Sequence, residues 1–322
     1  MKILLTGGLG YIGSHIASIL REKAIIIDNQ VNSNLNYKKK LPLATVYKNI
    51  LSSKALKKIF SSHNIEGVIH LAGLKAVNES INSPLEYYKM NVYSSMELIE
   101  CMDIYKINKL IFSSSATVYD NKEKSPLTEG MRLNAQNPYG NTKIIIEKLI
   151  SDYAKSNNQF KAISLRYFNP IGANLNVGLL DQPLGTPQNL MPLLVKSVAN
   201  KKKLIIYGND YDTPDGTCIR DYIHIEDLAN AHIKALNTLS SIKGHIPINI
   251  GMGNGISVLE LIEKFEKINF IKVQYKIGKR RRGDNIESYA NIDRAKTILK
   301  WKPNLDHERM CYDAWNGYLK NG

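Results

Sequence analysis

Tyr139 and Lys143 lie four positions apart in Pro138-Tyr139-Gly140-Asn141-Thr142-Lys143, a spacing that puts both on one face of a helix. An ammonium beside a phenol favours the phenolate, so Lys143 is expected to draw the Tyr139 pKa down toward neutrality. Upstream, Ser113-Ser114-Ser115-Ala116-Thr117-Val118-Tyr119 follows an apolar stretch. A Ser115 hydroxyl delivered from the end of that strand could share a substrate oxygen with Tyr139. Together the three side chains make a site for taking a proton off an alcohol. Such a site needs an acceptor for the hydride that leaves the same carbon.

The amino terminus supplies a place for one. Lys2-Ile3-Leu4-Leu5-Thr6 is a short apolar run that reads as a buried strand. It leads into Gly7-Gly8-Leu9-Gly10-Tyr11-Ile12-Gly13, after which Ile16, Ile19 and Leu20 recur at helical spacing. Glycines at 7, 10 and 13 permit a tight turn, close backbone approach to a pyrophosphate, and close helix-on-strand packing. The free amides of the new helix then face the phosphates. A second strand, Ala24-Ile25-Ile26-Ile27, ends in Asp28, where a ribose-binding carboxylate belongs. Asp28 would accept hydrogen bonds from the adenosine ribose and repel a 2′-phosphate, which favours NAD over NADP.

The elements that must position these groups alternate through the first half. Ala44–Tyr47, Gly67–Leu71, Lys109–Ser113 and Phe160–Arg166 read as strands. Ser53–Ser62, Pro84–Tyr105 and Pro138–Asn157 read as helices, with proline acceptable in the first turn. Alternating β and α units imply an α/β fold, a doubly wound, Rossmann-like parallel sheet covered on both faces. The expected dinucleotide-binding domain spans residues 1–168. Beyond Phe168 the pattern changes. Asn169–Gln188 is rich in Gly, Pro and Asn and reads as irregular. Helices near Met191–Ala199 and Glu226–Leu236 then mix with strands Lys203–Tyr207 and Ile246–Ile250. Ser257-Val258-Leu259-Glu260 is a capping box opening another helix. Tyr275 and its neighbours form a last strand candidate and Asp293–Leu299 a last helix. Residues 169–322 are therefore expected to form mainly a smaller α/β lobe, with some segments returning to the first domain. A substrate would sit in the crevice between the two.

Composition narrows the classes. At 322 residues, 43% of them hydrophobic, the chain can hold one large or two modest domains with full cores. No apolar run approaches the ~20 residues of a membrane span. The first residues are already strand and phosphate loop, which argues against a removable signal peptide. Cys101, Cys218 and Cys311 have no metal-like or redox-like spacing, which suits reduced thiols in the cytoplasm. The seven histidines form no ligand pair at helical spacing, so packing roles are expected for all and no metal site is. The net charge of +14 is spread over separate clusters, Lys38–Lys40, Lys201–Lys203 and Lys279–Arg282, without interleaved aromatics. That argues against a nucleic-acid surface and for a diphosphate-bearing substrate.

With these residues in view, the chain resembles the UDP-glucose/UDP-galactose 4-epimerase family of extended short-chain dehydrogenase/reductases over nearly its whole length. The likeness rests on Gly7–His15, Asp28-Asn29 with Asn32-Ser33, Ala72–Val77, Ser113–Tyr119, and Tyr139 with Lys143. It continues through Leu165–Pro170, Asn189–Pro192, Tyr207–Tyr211, Asp215–Thr217 and Arg220–His224. The resemblance implies that Gly7, Gly10, Tyr11, Ile12 and Gly13 line the NAD pyrophosphate. Asp28, Asn29, Asn32 and Ser33 would hold the adenosine ribose, with Asn49 and Ile50 near the adenine. Position 49 is usually aspartate in the family, and Leu71 replaces a common phenylalanine. Lys75, Asn91 and Tyr167 would complete the cofactor pocket, with Lys75 also near the substrate. In the second lobe Asn169, Asn189, Leu190, Ile205 and Tyr207 would hold the uridine and phosphates. Arg220 and Arg281 would clamp the diphosphate and Asp284 the uridine ribose.

The implied chemistry is epimerisation at C4 of a UDP-hexose through a 4-keto sugar. Tyr139 would take the O4 proton, Ser115 would share that oxygen, and Lys143 would hold the nicotinamide ribose. A related 4,6-dehydratase typically places an Asp-Glu pair after a threonine near the catalytic strand. Ser115-Ala116-Thr117-Val118 has no acid. A dinucleotide-sensing module on this scaffold often loses the tyrosine or the lysine, and this chain keeps both. In the family, the position matching Ser288 faces the sugar's C2 substituent: a tyrosine there goes with plain hexoses, a small residue with N-acetylated ones. Ser288 therefore implies use of UDP-N-acetylglucosamine and UDP-N-acetylgalactosamine as well. Were Tyr289 at that position instead, the expectation would reverse. Relatives pair through the helices around Pro84–Tyr105 and Pro138–Asn157, so a homodimer is expected.

Overall fold

The computed structural model describes residues 2–33, 36–49, 51–183, 185, 187–281 and 284–321. Six strands in chain order build most of the central sheet: β1 (Lys2–Thr6), β2 (Ala24–Asp28), β3 (Thr45–Lys48), β4 (Ile65–His70), β5 (Lys109–Ser113) and β6 (Lys161–Tyr167). A seventh strand, His245–Ile250, comes from far down the chain and pairs with β6. The order across the sheet is His245–Ile250, β6, β5, β4, β1, β2, β3. Every pairing is parallel. The inner strands are mostly buried and apolar because helices cover both faces, while the edge strand β3 exposes Thr45 and Lys48. Between β3 and β4 the chain crosses from one side of β1 to the other, so a crevice opens at the carboxyl ends of β1 and β4.

The second lobe has a core of its own, in which Met191, Leu194, Leu204, Ile206, Leu261 and Phe265 are buried. Leu204–Tyr207 pairs in parallel with Tyr275–Gly278. Ile219–Arg220 lies between Ile256–Ser257 and Glu287–Ser288. The helix Val258–Asn269 opens with the expected capping box, Ser257 accepting from the Glu260 amide and Glu260 from the Ser257 amide.

Three readings need correction. Pro84–Tyr105 is not one uniform α-helix. It runs as Pro84–Tyr87, a π-helical turn over Tyr88–Tyr93, and Ser94–Ile104. The hydroxyls of Ser94 and Ser95 donate to the carbonyls of Met90 and Asn91 at 2.6 Å, competing with the regular ladder. The segment Asn169–Gln188 is less irregular than its composition suggests, since Ala173–Asn174 and Leu179–Leu180 pair antiparallel. A terminal helix, His307–Asn321, follows the segment expected to be last. Its buried face includes His307, Asp313 and Gly317, so polar residues interrupt the apolar period.

Candidate active site

β1 hands the chain to the helix Tyr11–Leu20 (α1) through the glycine loop. Gly7 has φ +70°, a conformation open to glycine, and a Cβ there would lie 2.8 Å from the Ala72 amide nitrogen. A Cβ on Gly13 would lie 2.4 Å from the Gly7 carbonyl oxygen. Gly10 caps α1 with no side-chain hydrogen bond, which leaves the first amides for a ligand. Asp28, at the end of β2, accepts from the Leu9 amide at 2.9 Å, the Gln30 amide at 2.7 Å and the Ser33 hydroxyl at 2.8 Å. Three of a carboxylate's roughly four acceptor sites are thus used and about one is left for a ribose hydroxyl. Bare amides, an open glycine cradle and a fixed carboxylate with spare capacity are the donor set a dinucleotide requires.

A cleft of about 780 Å³ continues from this loop across the carboxyl ends of the strands into the second lobe. It is lined by Gly7, Gly10, Tyr11, Ile12, Gly13, Asp28, Asn29, Asn32, Ser33, Asn49, Leu71 and Lys75 on the cofactor side. Ser115, Tyr139, Lys143 and Tyr167 stand at its middle. Asn169, Asn189, Leu190, Ile205, Tyr207, Arg220, Arg281 and Asp284 line the far part. Ile50 lies outside the described residues. Asn91 stands behind the wall rather than on it. Its Oδ1 accepts from the Leu74 amide at 2.8 Å and its Nδ2 donates to the Leu74 carbonyl at 3.0 Å, so it shapes the loop carrying Lys75.

Ser288 is not on the cavity wall but one strand behind it. In the parallel pair Ile219–Arg220 with Glu287–Ser288, Ser288 is in register with Arg220. Side chains in register lie on the same side of a sheet, and Arg220 lines the cleft. Tyr289, the next residue, packs against Gly255, where a Cβ would meet its ring at 3.0 Å.

At the centre, Ser115 lies two residues past β5 and caps the turn Ala116–Val118, accepting from the Thr117 amide at 3.2 Å. Asn137 caps the Pro138–Ser156 helix through the Gly140 amide, and Pro138 takes its first turn. Tyr139 and Lys143 are both buried on that helix. The expected lowering of the Tyr139 phenol is not what the chain's own groups produce. Burial raises it above its ordinary value, and the hydrogen bond with Ser115 opposes that rise. Lys143 does not pair with the phenol oxygen here. Its Nζ donates to the Ser113 carbonyl at 2.9 Å and stands 5.7 Å from the Tyr139 ring centre. Burial lowers Lys143 to about 8, with Glu147 opposing.

In the second lobe, Arg220 donates to Asp284 at 2.9 Å, and the Arg281 guanidinium stacks 4.1 Å over the Tyr207 ring. Among the cleft residues that the sequence did not mark, two carry polar groups close to the chemistry. Asp181 lines the cleft, its carboxyl raised by burial and pulled back by Lys75. Thr117 lines it as well and donates to Ser115 Oγ at 3.0 Å. Thr117 sits inside the Ser113–Tyr119 block, so proximity to Ser115 was the signal available. Asp181 lay in the segment read as irregular, and no local pattern marked it.

Of the histidines, His15, His63, His70, His224, His232 and His245 hydrogen-bond through at least one ring nitrogen. Among the described residues, His224, Glu226 and Asp313 bring their ligand-type atoms within 4.8 Å of one another. Arg309 donates to Asp313 at 2.6 Å and already supplies a positive charge there. This cluster ties the terminal helix to the strand Tyr222–His224.

A glycine-loop sheet, a Ser–Tyr–Lys centre and a second-lobe cleft with two arginines define a dinucleotide-dependent enzyme that acts on an alcohol. Residues 3–251 match the model of the NAD dependent epimerase/dehydratase family. A UDP-glucose 4-epimerase from Dictyostelium discoideum is 42% identical, the match covering 98% of this chain and 97% of the relative. The crystal structure of UDP-glucose 4-epimerase from Bifidobacterium longum in complex with NAD+ and UDP superposes with a TM-score of 0.93 at 38% identity, covering 100% of this chain and 99% of that one. The UDP-Glc/GlcNAc 4-epimerase from Campylobacter jejuni gives 0.86 at 32% identity over 99% of each chain. The chain belongs to the NAD dependent epimerase/dehydratase family.

Proposed function

We propose that this chain is an NAD-dependent 4-epimerase that interconverts UDP-glucose and UDP-galactose. The observation that carries the reading is the position of Ser115, Tyr139 and Lys143 midway along one cleft, with a dinucleotide cradle at one end and Arg220 and Arg281 at the other. The nearest functions in the family need the same first oxidation. Only the dehydratase also needs an acid beside Ser115, and Ala116-Thr117-Val118 offers none.

When bound, NAD supplies a hydride acceptor for C4 and a positive charge beside the phenol. Tyr139 takes the O4 proton and returns it. Ser115 donates to the same oxygen, while its own Oγ accepts from Thr117 Oγ1 at 3.0 Å and from the Thr117 amide at 3.2 Å, which orients it. Lys143, protonated below its pKa of about 8, stabilises the phenolate and orients the ribose. Arg220 and Arg281 hold the diphosphate, Arg220 being set by its 2.9 Å bond to Asp284. A substrate anchored by its UDP end leaves the hexose able to turn about its phosphate bond and offer its other face. The net reaction leaves the redox state unchanged, so nothing in the cleft must exchange between turnovers.

The same reading extends to N-acetylated sugars. Ser288 does not itself line the cleft, but it stands in register with Arg220, which does, and it is small, so no bulky side chain at this position opposes a C2 substituent. The UDP-Glc/GlcNAc enzyme among the similar structures supports the extension. A cytoplasmic homodimer completes the proposal.

The deciding assay uses all four UDP-sugars, with deuterium at C4. Epimerisation with the label kept at C4 is expected. Loss of the label to water would refute the oxidation route, and absence of epimerisation would refute the function. Ser288→Tyr is expected to lose at least about tenfold in kcat/KM on the N-acetylated pair while keeping the plain pair, since overfilling a packed pocket costs about 1–3 kcal/mol. Equal N-acetyl turnover in both proteins would reject the steric argument.

A further inference from the structure

Beneath the proton-transfer site lies a buried ion pair that touches neither end of the cleft. Glu147 follows Lys143 by one helical turn and Tyr139 by two, on the same face. Its carboxylate takes two hydrogen bonds from Arg166 Nε, at 3.0 and 3.2 Å, and one from Nη2 at 2.6 Å. Both side chains are almost fully buried, 6% and 3% exposed. Burying two charges costs free energy that a pair rarely recovers in full, so a purely stabilising role is a poor account of it.

The third partner of Glu147 is Ser114, whose hydroxyl donates at 2.5 Å. Ser114 is the residue before Ser115. The pair therefore fastens the end of β5 to the helix that carries Tyr139 and Lys143. From Arg166 the contacts continue outward. Its Nη1 donates to the Tyr119 hydroxyl and to the Glu129 carbonyl, both at 3.2 Å. Tyr119 donates to Asn249 at 2.6 Å, and Asn249 donates to the Leu127 carbonyl at 2.8 Å. The Leu127 amide donates to the Tyr289 carbonyl at 2.8 Å, one residue past Ser288. The network thus runs from the catalytic helix to the second-lobe strand that lies beside Arg220.

We propose that Glu147 and Arg166 are positioning residues: through Ser114 they hold Ser115 at the height of Tyr139, and through Tyr119 and Asn249 they fix that pair relative to the substrate lobe. This rests on the epimerase reading. Glu147 also bears on Lys143, which it helps keep protonated against burial. The other charged and titratable groups around this helix face are Arg166, Tyr119, His245 and, beside Lys143, His70 and Tyr139.

Three variants test the proposal. Ser114→Ala removes the link to Ser115 and leaves the ion pair intact. It is expected to keep NAD content and KM, and to melt a few degrees lower for the lost donor to a buried carboxylate, while kcat falls about tenfold, the order that a sub-ångström misplacement costs. Glu147→Gln strands the Arg166 charge and is expected to lower the melting temperature. Where it folds, the alkaline limb of its kcat–pH profile should move to lower pH as Lys143 loses its anionic neighbour. The double variant Glu147→Gln/Arg166→Met removes both charges, and should recover the melting temperature but not kcat. Parental kcat in Ser114→Ala, or recovery of kcat together with melting temperature in the double variant, overturns the positioning role. A parent without epimerase activity would instead sink the functional reading on which the role depends.

Discussion

The phenol of Tyr139 is buried, and burial holds it above its ordinary pKa while Ser115 pulls the other way. A spacing of four residues was enough to put Lys143 on the same helix face. It was not enough to give the sign of the shift, because burial and the turn of Lys143 toward the Ser113 carbonyl are tertiary properties. The same division holds for other site residues. The types and order of Gly7, Asp28, Ser115, Tyr139, Arg220 and Asp284 were legible from sequence. That Asn91 supports the Lys75 loop from behind, and that Asp181 reaches the cleft, were not, because neither follows from a local pattern. If Tyr139 is the proton acceptor, Tyr139→Phe removes one oxygen and no packing volume of note. The variant is expected to retain NAD and a parental melting temperature and to lose about 10²–10⁴-fold in kcat, the usual weight of a general base. Turnover within about threefold of the parent would remove Tyr139 from that role.

The elements depend on contacts of different range, and their legibility followed that range. The strand–glycine–helix unit is local: each of β1, the loop and α1 is specified by its own residues, and it was read with its ligand. The Pro138–Ser156 helix was equally local, with Asn137 capping it and Pro138 in its first turn. The terminal helix His307–Asn321 went unread because its buried face carries His307 and Asp313, which are buried through their neighbours and not through hydrophobicity. The π-helical turn at Tyr88–Tyr93 is likewise tied to distant chain, since Asn91 within it bonds Leu74 and Thr142. One element-scale prediction follows from the closest approach in the glycine loop. Gly13 brings α1 against the Gly7 carbonyl, and an added Cβ would sit 2.4 Å from that oxygen. Because the obstacle is backbone, the helix and not a side chain has to move. Gly13→Ala is expected to purify with less than about a tenth of the parental NAD content and to melt several degrees lower, overpacking costing about 1–3 kcal/mol. Parental NAD content, measured by absorbance after denaturation, would mean that α1 can shift without loss of the cradle.

Across the whole molecule, buried histidines set the response to acid. Burial lowers His15, His232 and His245 to about 4 and His70 to about 3. In the unfolded chain each titrates near 6.5, so between about pH 6.5 and 4 the unfolded state binds more protons. Their stabilisation is complete above about 6.5 and is lost as pH falls through that window. Asp221 works in the opposite sense: burial pushes its carboxyl up to about 6, so folding gains as pH falls toward 4. Burial lowers His307 in the same direction and raises Asp181 and Glu226 as it does Asp221. Five imidazoles outweigh three carboxylates, and the urea midpoint is expected to fall from pH 7 to pH 5; a flat or rising midpoint would contradict the burial of these imidazoles. The outer surface carries a second whole-molecule feature. Ile81, Leu85, Tyr93 and Met96 are 59%, 84%, 55% and 41% exposed, and Ile145 on the catalytic helix is 39% exposed. Tyr88, Lys89, Val92, Tyr93 and Met96 surround an apolar hollow on this side. Isolated exposed apolar residues need no explanation, but these cluster on the segments Val77–Ile104 and on the neighbouring Pro138–Ser156 helix, the surface through which the proposed pair would form. A two-fold pair would set this surface against its own copy, and a stable one buries about 1,600 Å² in total. Light scattering at micromolar concentration is expected to give a two-chain particle. The Leu85→Glu/Met96→Glu variant places charges on this surface away from the cleft lining, and should elute as a single chain with its NAD retained. A parent that scatters as one chain, or a variant that still pairs, would place the contact elsewhere or deny it.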